Sequence, residues 1–66
     1  MSLAKVIEVI AEGNTMEKAV ENAVSQASKT VQNIRSINCE NIQAIVEDNR
    51  IKKYRVNAKV TFVVND

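Results

Sequence analysis

The last part of the chain alternates between apolar and other side chains. From position 55 to position 64 every second residue is apolar, namely Val56, Ala58, Val60, Phe62 and Val64. Strict alternation is typical of a strand with one face against a core, because successive side chains of a strand point to opposite faces. The pattern therefore predicts a strand from Lys53 to Val64, and it leaves open what covers or uses the second face.

A first strand and a helix are predicted before this strand. The stretch "AKVIEVIAEG" (4–13) is rich in β-branched residues and ends at Gly13, the single glycine, which indicates a strand. The next stretch, "NTMEKAVENAVSQASKTVQNI" (14–34), has apolar residues three and four positions apart, which predicts one amphipathic helix. Asn14 or Thr15 can cap its start, and Glu17 follows Asn14 by three residues, as in a capping box. The apolar positions of the predicted helix are Met16, Ala19, Val20, Ala23, Val24, Ala27, Val31 and Ile34.

The remainder of the chain predicts a β-hairpin, and the whole predicts an α+β fold of order β-α-β-β. One strand runs from Ile37 to Val46, the other from Lys53 to Val64, and "EDNR" (47–50) supplies the turn residues. A right-handed crossover between the first two strands leaves a gap for the third, which pairs antiparallel with its hairpin partner. The predicted three-stranded antiparallel sheet has the order 1-3-2. The helix covers one face, against Val56, Ala58, Val60 and Phe62, so the other must meet solvent, a ligand or another subunit.

Length and composition favour one small domain, 1–66, that associates with itself. A domain of 66 residues has a small core, and domains of this size usually add a disulfide, a metal or partner subunits. Cys39 is the only cysteine and histidine is absent, so an internal disulfide and a zinc site are excluded. The net charge of +1 gives no reason to expect nucleic acid or a membrane as partner. No membrane span and no secretory signal is recognisable, which predicts a cytoplasmic protein.

Catalytic chemistry finds little support, so the protein is not expected to be an enzyme. Without histidine, the Ser/His and Cys/His arrangements of nucleophilic catalysis cannot form. Glu17 and Glu21 are predicted to lie on the polar face of the helix. Cys39 is interpreted as a buried small apolar residue, with a reactive thiol as the alternative.

A basic cluster surrounds Tyr54 and is interpreted as protection of the hairpin from edge-to-edge pairing rather than as a nucleic-acid site. Its members are Arg50, Lys52, Lys53 and Arg55.

Several separated stretches resemble the dodecins, from about Lys5 to Phe62. They are "KVIEVI" at the start, "AVENAVSQASKTVQNIR" as helix and exit, and "YRVNAKVTF" near the end, in the order β-α-β-β. The resemblance implies a non-catalytic binding protein that assembles as a hollow sphere of twelve chains. It implies a flavin (FMN, FAD or riboflavin) as cofactor, and closure of the second sheet face by neighbouring subunits and ligand.

Two positions of the family's flavin pocket carry other residues here. The resemblance places Ser36 where flavin-binding dodecins have a tryptophan that stacks on the ring, and Arg55 where they have a glutamine that bonds to it. Ser36 and Arg55 are therefore the candidate ligand-binding residues, for a flavin or another planar or anionic molecule. Arg55 can stack on a ring or bind a phosphate or carboxylate, and the alternative is an ion pair with a neighbouring subunit. Two further alternatives are a shell without organic ligand and a shell that holds metal ions such as calcium between subunits.

Overall fold

The computed structural model describes residues 2–65, which form three strands and one helix. Strand β1 spans Ser2–Gly13, helix α1 spans Met16–Ala27, strand β2 spans Ile34–Glu47 and strand β3 spans Arg50–Asn65. The strands form one antiparallel sheet in the order β1-β3-β2. The predicted β-α-β-β fold and sheet order 1-3-2 are thus confirmed.

Helix α1 is shorter than predicted. Its buried stripe is Ala19, Ala23 and Ala27, and the chain leaves the helix at Ser28, whose N–H donates to the carbonyl of Val24 at 2.9 Å. Asn33 then adopts a left-handed conformation with φ of 59° and turns the chain into β2. The predicted extension of the helix to Ile34 is therefore wrong, and Ile34 is the first residue of β2. The sequence pattern suggested a longer helix because Val31 and Ile34 lie four and seven positions after Ala27, the spacing of one helical face, although both lie beyond the end of α1.

The β2–β3 hairpin turns in two residues rather than in the four predicted. Asp48 and Asn49 have φ values of 54° and 62°, which is the conformation that a type I′ turn requires at both central positions. Such a turn matches the twist of the flanking strands, so pairing continues up to Glu47↔Arg50. Both strands of the hairpin therefore extend beyond their predicted ends.

The core lies between α1 and one face of β1 and β3. Val56, Ala58, Val60 and Phe62 are buried, as the alternation predicts. The helix opposes them with alanines, and small side chains let it approach the sheet closely. The start of the helix is capped by Thr15, whose Oγ1 accepts a hydrogen bond from the N–H of Lys18 at 3.0 Å. Within the part of the chain that the structure describes, no helix has the length and apolar character to cross a membrane.

Candidate functional site: the outer face of the sheet

The face of the sheet that points away from α1 is called the outer face below. Along β3, side chains point alternately to the core and to the outer face, and Arg55 lies on the outer face as predicted. The β3 residues of the outer face are Arg55, Asn57, Lys59, Thr61 and Val63. In the same order, their partners on β1 are Glu12, Ile10, Glu8, Val6 and Ala4. On β2, the first four of the β3 residues pair with Gln43, Asn41, Asn38 and Ser36.

Large apolar side chains on this face are open to solvent. Ile10 is 65% exposed and Val6 is 55% exposed, although both belong to the middle of β1. The helix cannot cover them because it lies on the opposite face of the sheet. The outer face thus combines exposed apolar side chains with ordered charged groups, which is typical of a surface that binds something.

Arg55 is held by Glu12 on the neighbouring strand. Its Nε and Nη2 atoms lie 2.8 and 2.7 Å from Oε2 of Glu12, and Nζ of Lys53 lies 2.8 Å from Oε1. Hydrogen bonds from Lys53, and next from Arg55, hold the pKa of the Glu12 carboxyl below its ordinary value of 4.5. Arg55 therefore forms an ion pair within its own chain, whereas the alternative considered from the sequence was an ion pair with a neighbouring subunit. The cluster of one carboxylate and two cations keeps one positive charge in excess.

A second ionic cluster lies further along the outer face. Nζ of Lys59 lies 3.0 Å from Oε1 of Glu40, and the side-chain amide of Asn38 donates to Oε2 of Glu40 at 3.3 Å. The hydrogen bond to Glu40 is the main reason why the pKa of Lys59 lies above its ordinary value of 10.5, and the negative charge of Glu8 adds to it. Glu8 pairs with Lys59 in the β1–β3 register, so this cluster carries one negative charge in excess.

A polar groove lies between the two clusters. It is lined by Ile10, Asn41, Ile42, Gln43, Arg55 and Asn57. The side-chain oxygen of Asn57 is buried and has no hydrogen-bond partner among the described residues. A buried polar atom left without a partner costs about 1–3 kcal/mol, so Asn57 is a point of unused hydrogen-bonding capacity in the single chain.

The two predicted ligand residues share the outer face but lie far apart. Ser36 is exposed and pairs with Thr61 in register, whereas Arg55 pairs with Gln43. Thr61 lies six positions after Arg55 on β3, which corresponds to about 20 Å at the usual rise of a strand. A single chain therefore does not bring Ser36 and Arg55 together on one small ligand.

The remaining residues considered from the sequence, Cys39 and Lys52, have surroundings that do not indicate a binding site. Cys39 pairs with Ala58 on the side of the sheet that faces the helix, where it is half-buried rather than fully buried. Lys52 of the basic cluster forms an exposed ion pair in which its Nζ lies 3.1 Å from Oε2 of Glu47. Among residues 2–65, no three side chains of His, Cys, Asp or Glu converge on a place where a metal ion could be held.

Glu12 and Glu40 are the site residues that sequence reasoning missed. Both are visible in the sequence as carboxylates of predicted strands, yet their role depends on which residue of β3 they meet. The β1–β3 register places Glu12 opposite Arg55. The irregularity of β2 between Cys39 and Asn41 leaves Glu40 as an extra residue beside Lys59. Aligning the first and third predicted strands antiparallel, with their apolar faces on the same side, would have pointed to Glu12 as a partner of Arg55.

The fold and the outer face together define a class, namely a small β-α-β-β protein whose sheet is covered by a helix on one side only. Comparison with known families then gives the family itself. The model of the Dodecin family matches residues 3–65, and the chain belongs to the dodecin family. No match to a curated protein was found.

Solved structures share the fold at low sequence identity. The tt0972 protein from Thermus thermophilus superposes with a TM-score of 0.91 at 21% identity, over 100% of this chain and 98% of that one. The dodecin from Streptomyces davaonensis gives a TM-score of 0.91 at 20% identity, over 98% of this chain and 97% of the other. The dodecin from Streptomyces coelicolor gives 0.89 at 24% identity, with coverages of 98% and 94%.

Proposed function

We propose that residues 1–66 form one domain of a homo-oligomeric, non-catalytic binding or storage protein in the cytoplasm, with twelve copies in the assembly. The observation that carries this proposal is the outer face. Ile10 and Val6 expose large apolar side chains there, and the one helix already covers the opposite face. Further copies of the chain and a small ligand are what would remove these side chains from water.

The proposed ligand is a planar or anionic small molecule, with a flavin as the reference compound. A guanidinium has five N–H donors, more than the pair with Glu12 uses, so Arg55 has donors to offer to a phosphate or carboxylate. The excess positive charge of the Glu12–Lys53–Arg55 cluster favours an anion over a metal cation at this place. Standard flavin binding is expected to be weak because Ser36 has no ring to stack, and stacking on an aromatic contributes about 1–3 kcal/mol where it has been tested.

Assembly is tested by light scattering coupled to size-exclusion chromatography at micromolar concentration. Twelve chains of 7.3 kDa correspond to about 88 kDa, since 12 × 7.3 is 87.6. We expect a single species near that mass. A folded monomer of 7.3 kDa would contradict the proposed function.

Ligand binding is tested by adding protein to riboflavin and FMN and following flavin fluorescence. We expect little quenching by the parent at submicromolar protein. The double variant Ser36→Trp with Arg55→Gln restores the two family residues and should quench more strongly. Equal quenching by parent and variant would show that these positions do not form the flavin site.

A calcium titration of the parent by calorimetry tests the alternative of a metal-holding shell, and we expect no binding heat.

A further inference from the structure

The guanidinium of Arg55 is bound to the rest of the chain through only one of its edges. Its Nε donates to Oε2 of Glu12 at 2.8 Å, and its Nη2 lies 2.7 Å from the same oxygen. The other oxygen of Glu12 lies 2.8 Å from Nζ of Lys53, so each carboxylate oxygen has its own cation. Among residues 2–65, no hydrogen bond engages Nη1 of Arg55. Both N–H groups of Nη1 and one of Nη2 are therefore free, at the end of the guanidinium.

This free end has the shape that an oxyanion requires. Two parallel N–H groups at one edge of a planar guanidinium bind two oxygens of a carboxylate or phosphate at once. Glu12 already holds the guanidinium in place, so less side-chain freedom is lost when a ligand binds. The side chain of Arg55 is 42% exposed, which leaves room for a small molecule to approach it. Glu12 thus orients Arg55 without occupying its end.

The charge of the cluster distinguishes between the two kinds of oxyanion. Glu12, Lys53 and Arg55 together carry +1. A carboxylate carries −1 and neutralises this charge. A phosphate monoester carries about −1.5 to −2 at pH 7 and would leave negative charge in excess beside Glu12. The charge balance therefore favours a carboxylate.

Apolar side chains next to Arg55 offer a surface for the remainder of such a molecule. Ile10 and Ile42 line the same groove as Arg55 and are 65% and 48% exposed. Ile10 lies two residues before Glu12 on β1, on the same face of the sheet. An apolar body laid on these side chains would remove them from water.

We propose that the groove at Arg55 takes an organic carboxylate with an apolar or aromatic body, and that the carboxylate binds the free end of the guanidinium. The inference rests on the proposed binding function and narrows its ligand from any planar or anionic molecule to this class. Riboflavin has no charged group and FMN carries a phosphate, so neither presents the matching group.

Three probes that share one ring system test the ligand class. 2-Naphthoate carries a carboxylate, 2-naphthyl phosphate carries a phosphate, and 2-naphthalenemethanol carries no charge. Their fluorescence anisotropy is followed as parent protein is added, and the chain has no tryptophan to add background emission. We expect naphthoate to bind about tenfold or more tightly than either of the others, because hydrogen bonds between charged groups are about twice as strong as neutral ones and only the carboxylate balances the charge. Equal affinities, tighter binding of the phosphate or no binding of naphthoate would overturn the ligand class.

A matched pair of variants tests the role of Arg55. Arg55→Lys keeps the positive charge and removes the planar fork, so we expect about tenfold weaker binding of naphthoate. Arg50→Lys makes the same exchange at the exposed first residue of β3 and should bind naphthoate like the parent. Unchanged binding by a folded Arg55→Lys variant would overturn the assignment of Arg55.

Two controls separate this inference from the proposed function. Circular dichroism and size-exclusion chromatography establish whether Arg55→Lys is folded and assembled, and if it is not, the comparison of the three probes on the parent decides alone. A monomeric parent overturns the proposed assembly, whatever the probes do. An oligomeric parent without a preference for naphthoate overturns only the carboxylate site.

Discussion

Gly13 lies where β1 meets the start of the helix, and its replacement by alanine tests the packing that places the outer face. A β-carbon at Gly13 would lie 2.5 Å from the backbone N of Ala19 and 2.7 Å from the carbonyl carbon of Lys18. Such distances require a shift of backbone atoms. The N–H of Ala19 already donates to the carbonyl of Thr15 at 3.0 Å, at the first turn of the helix, so the obstacle is rigid. Glycine is therefore needed here for close approach of the helix.

The expected loss is about 1–2 kcal/mol. Overpacking of a tight contact costs about 1–3 kcal/mol, and alanine recovers about 0.4–1 kcal/mol because it restricts the unfolded chain more than glycine does. For a domain of this size, each kcal/mol shifts the melting temperature by about 4–8 °C, so Gly13→Ala should melt about 5–15 °C below the parent.

The measurement is a thermal melt followed by circular dichroism. Parent and variants are compared at one protein concentration, because the melting temperature of an oligomer depends on it. Asn14→Ala is the matched control, since it changes the next residue, which is exposed, and should melt close to the parent. If Gly13→Ala melts within about 2 °C of the parent, the helix moves away at no cost and the packing argument is refuted.

Three further predictions concern the ionic cluster and the core. Arg55→Ala should weaken assembly in size-exclusion chromatography, whereas Lys52→Ala, near the hairpin turn, should not, and identical behaviour of the two would contradict a role for Arg55. Because its folded-state pKa is lowered, Glu12 stabilises the fold above its ordinary pKa of 4.5, and this contribution is lost as the pH falls through the lower value. The stability difference between parent and Glu12→Gln in urea should therefore close between about pH 7 and pH 2, and a constant difference would refute the pairing. Val60→Ala removes fully buried atoms and should cost about 2–3 kcal/mol in the same assay, and a loss below about 1 kcal/mol would place Val60 outside the core.

The element order and the sheet order were predictable because they depend on long, regular patterns. Ten residues of alternation in β3 specify a strand with one buried face, and three alanines at intervals of four specify the helix that covers it. The ends of the elements depend on single residues instead. Asn33, Asp48 and Asn49 adopt positive φ, which Asn and Asp tolerate better than other non-glycine residues. Such residues mark the neighbourhood of a turn, but without a glycine they do not specify the exact positions at which the helix ends or the hairpin turns. The helix was consequently predicted too long and the hairpin turn too wide.

The candidate site was predictable only in part, because its residues meet through strand pairing. Alternation alone places Arg55 on the outer face, but the pair with Glu12 requires the register of β1 on β3, and a slip by one residue would turn Glu12 to the other face. Ser36 lies on the same face as Arg55 at a distance of about 20 Å along the sheet. A small ligand that contacts both residues therefore has to lie between copies, each of which supplies one of them. In the proposed oligomer a single chain would then carry two half-sites, and ligand specificity would be a property of the assembly.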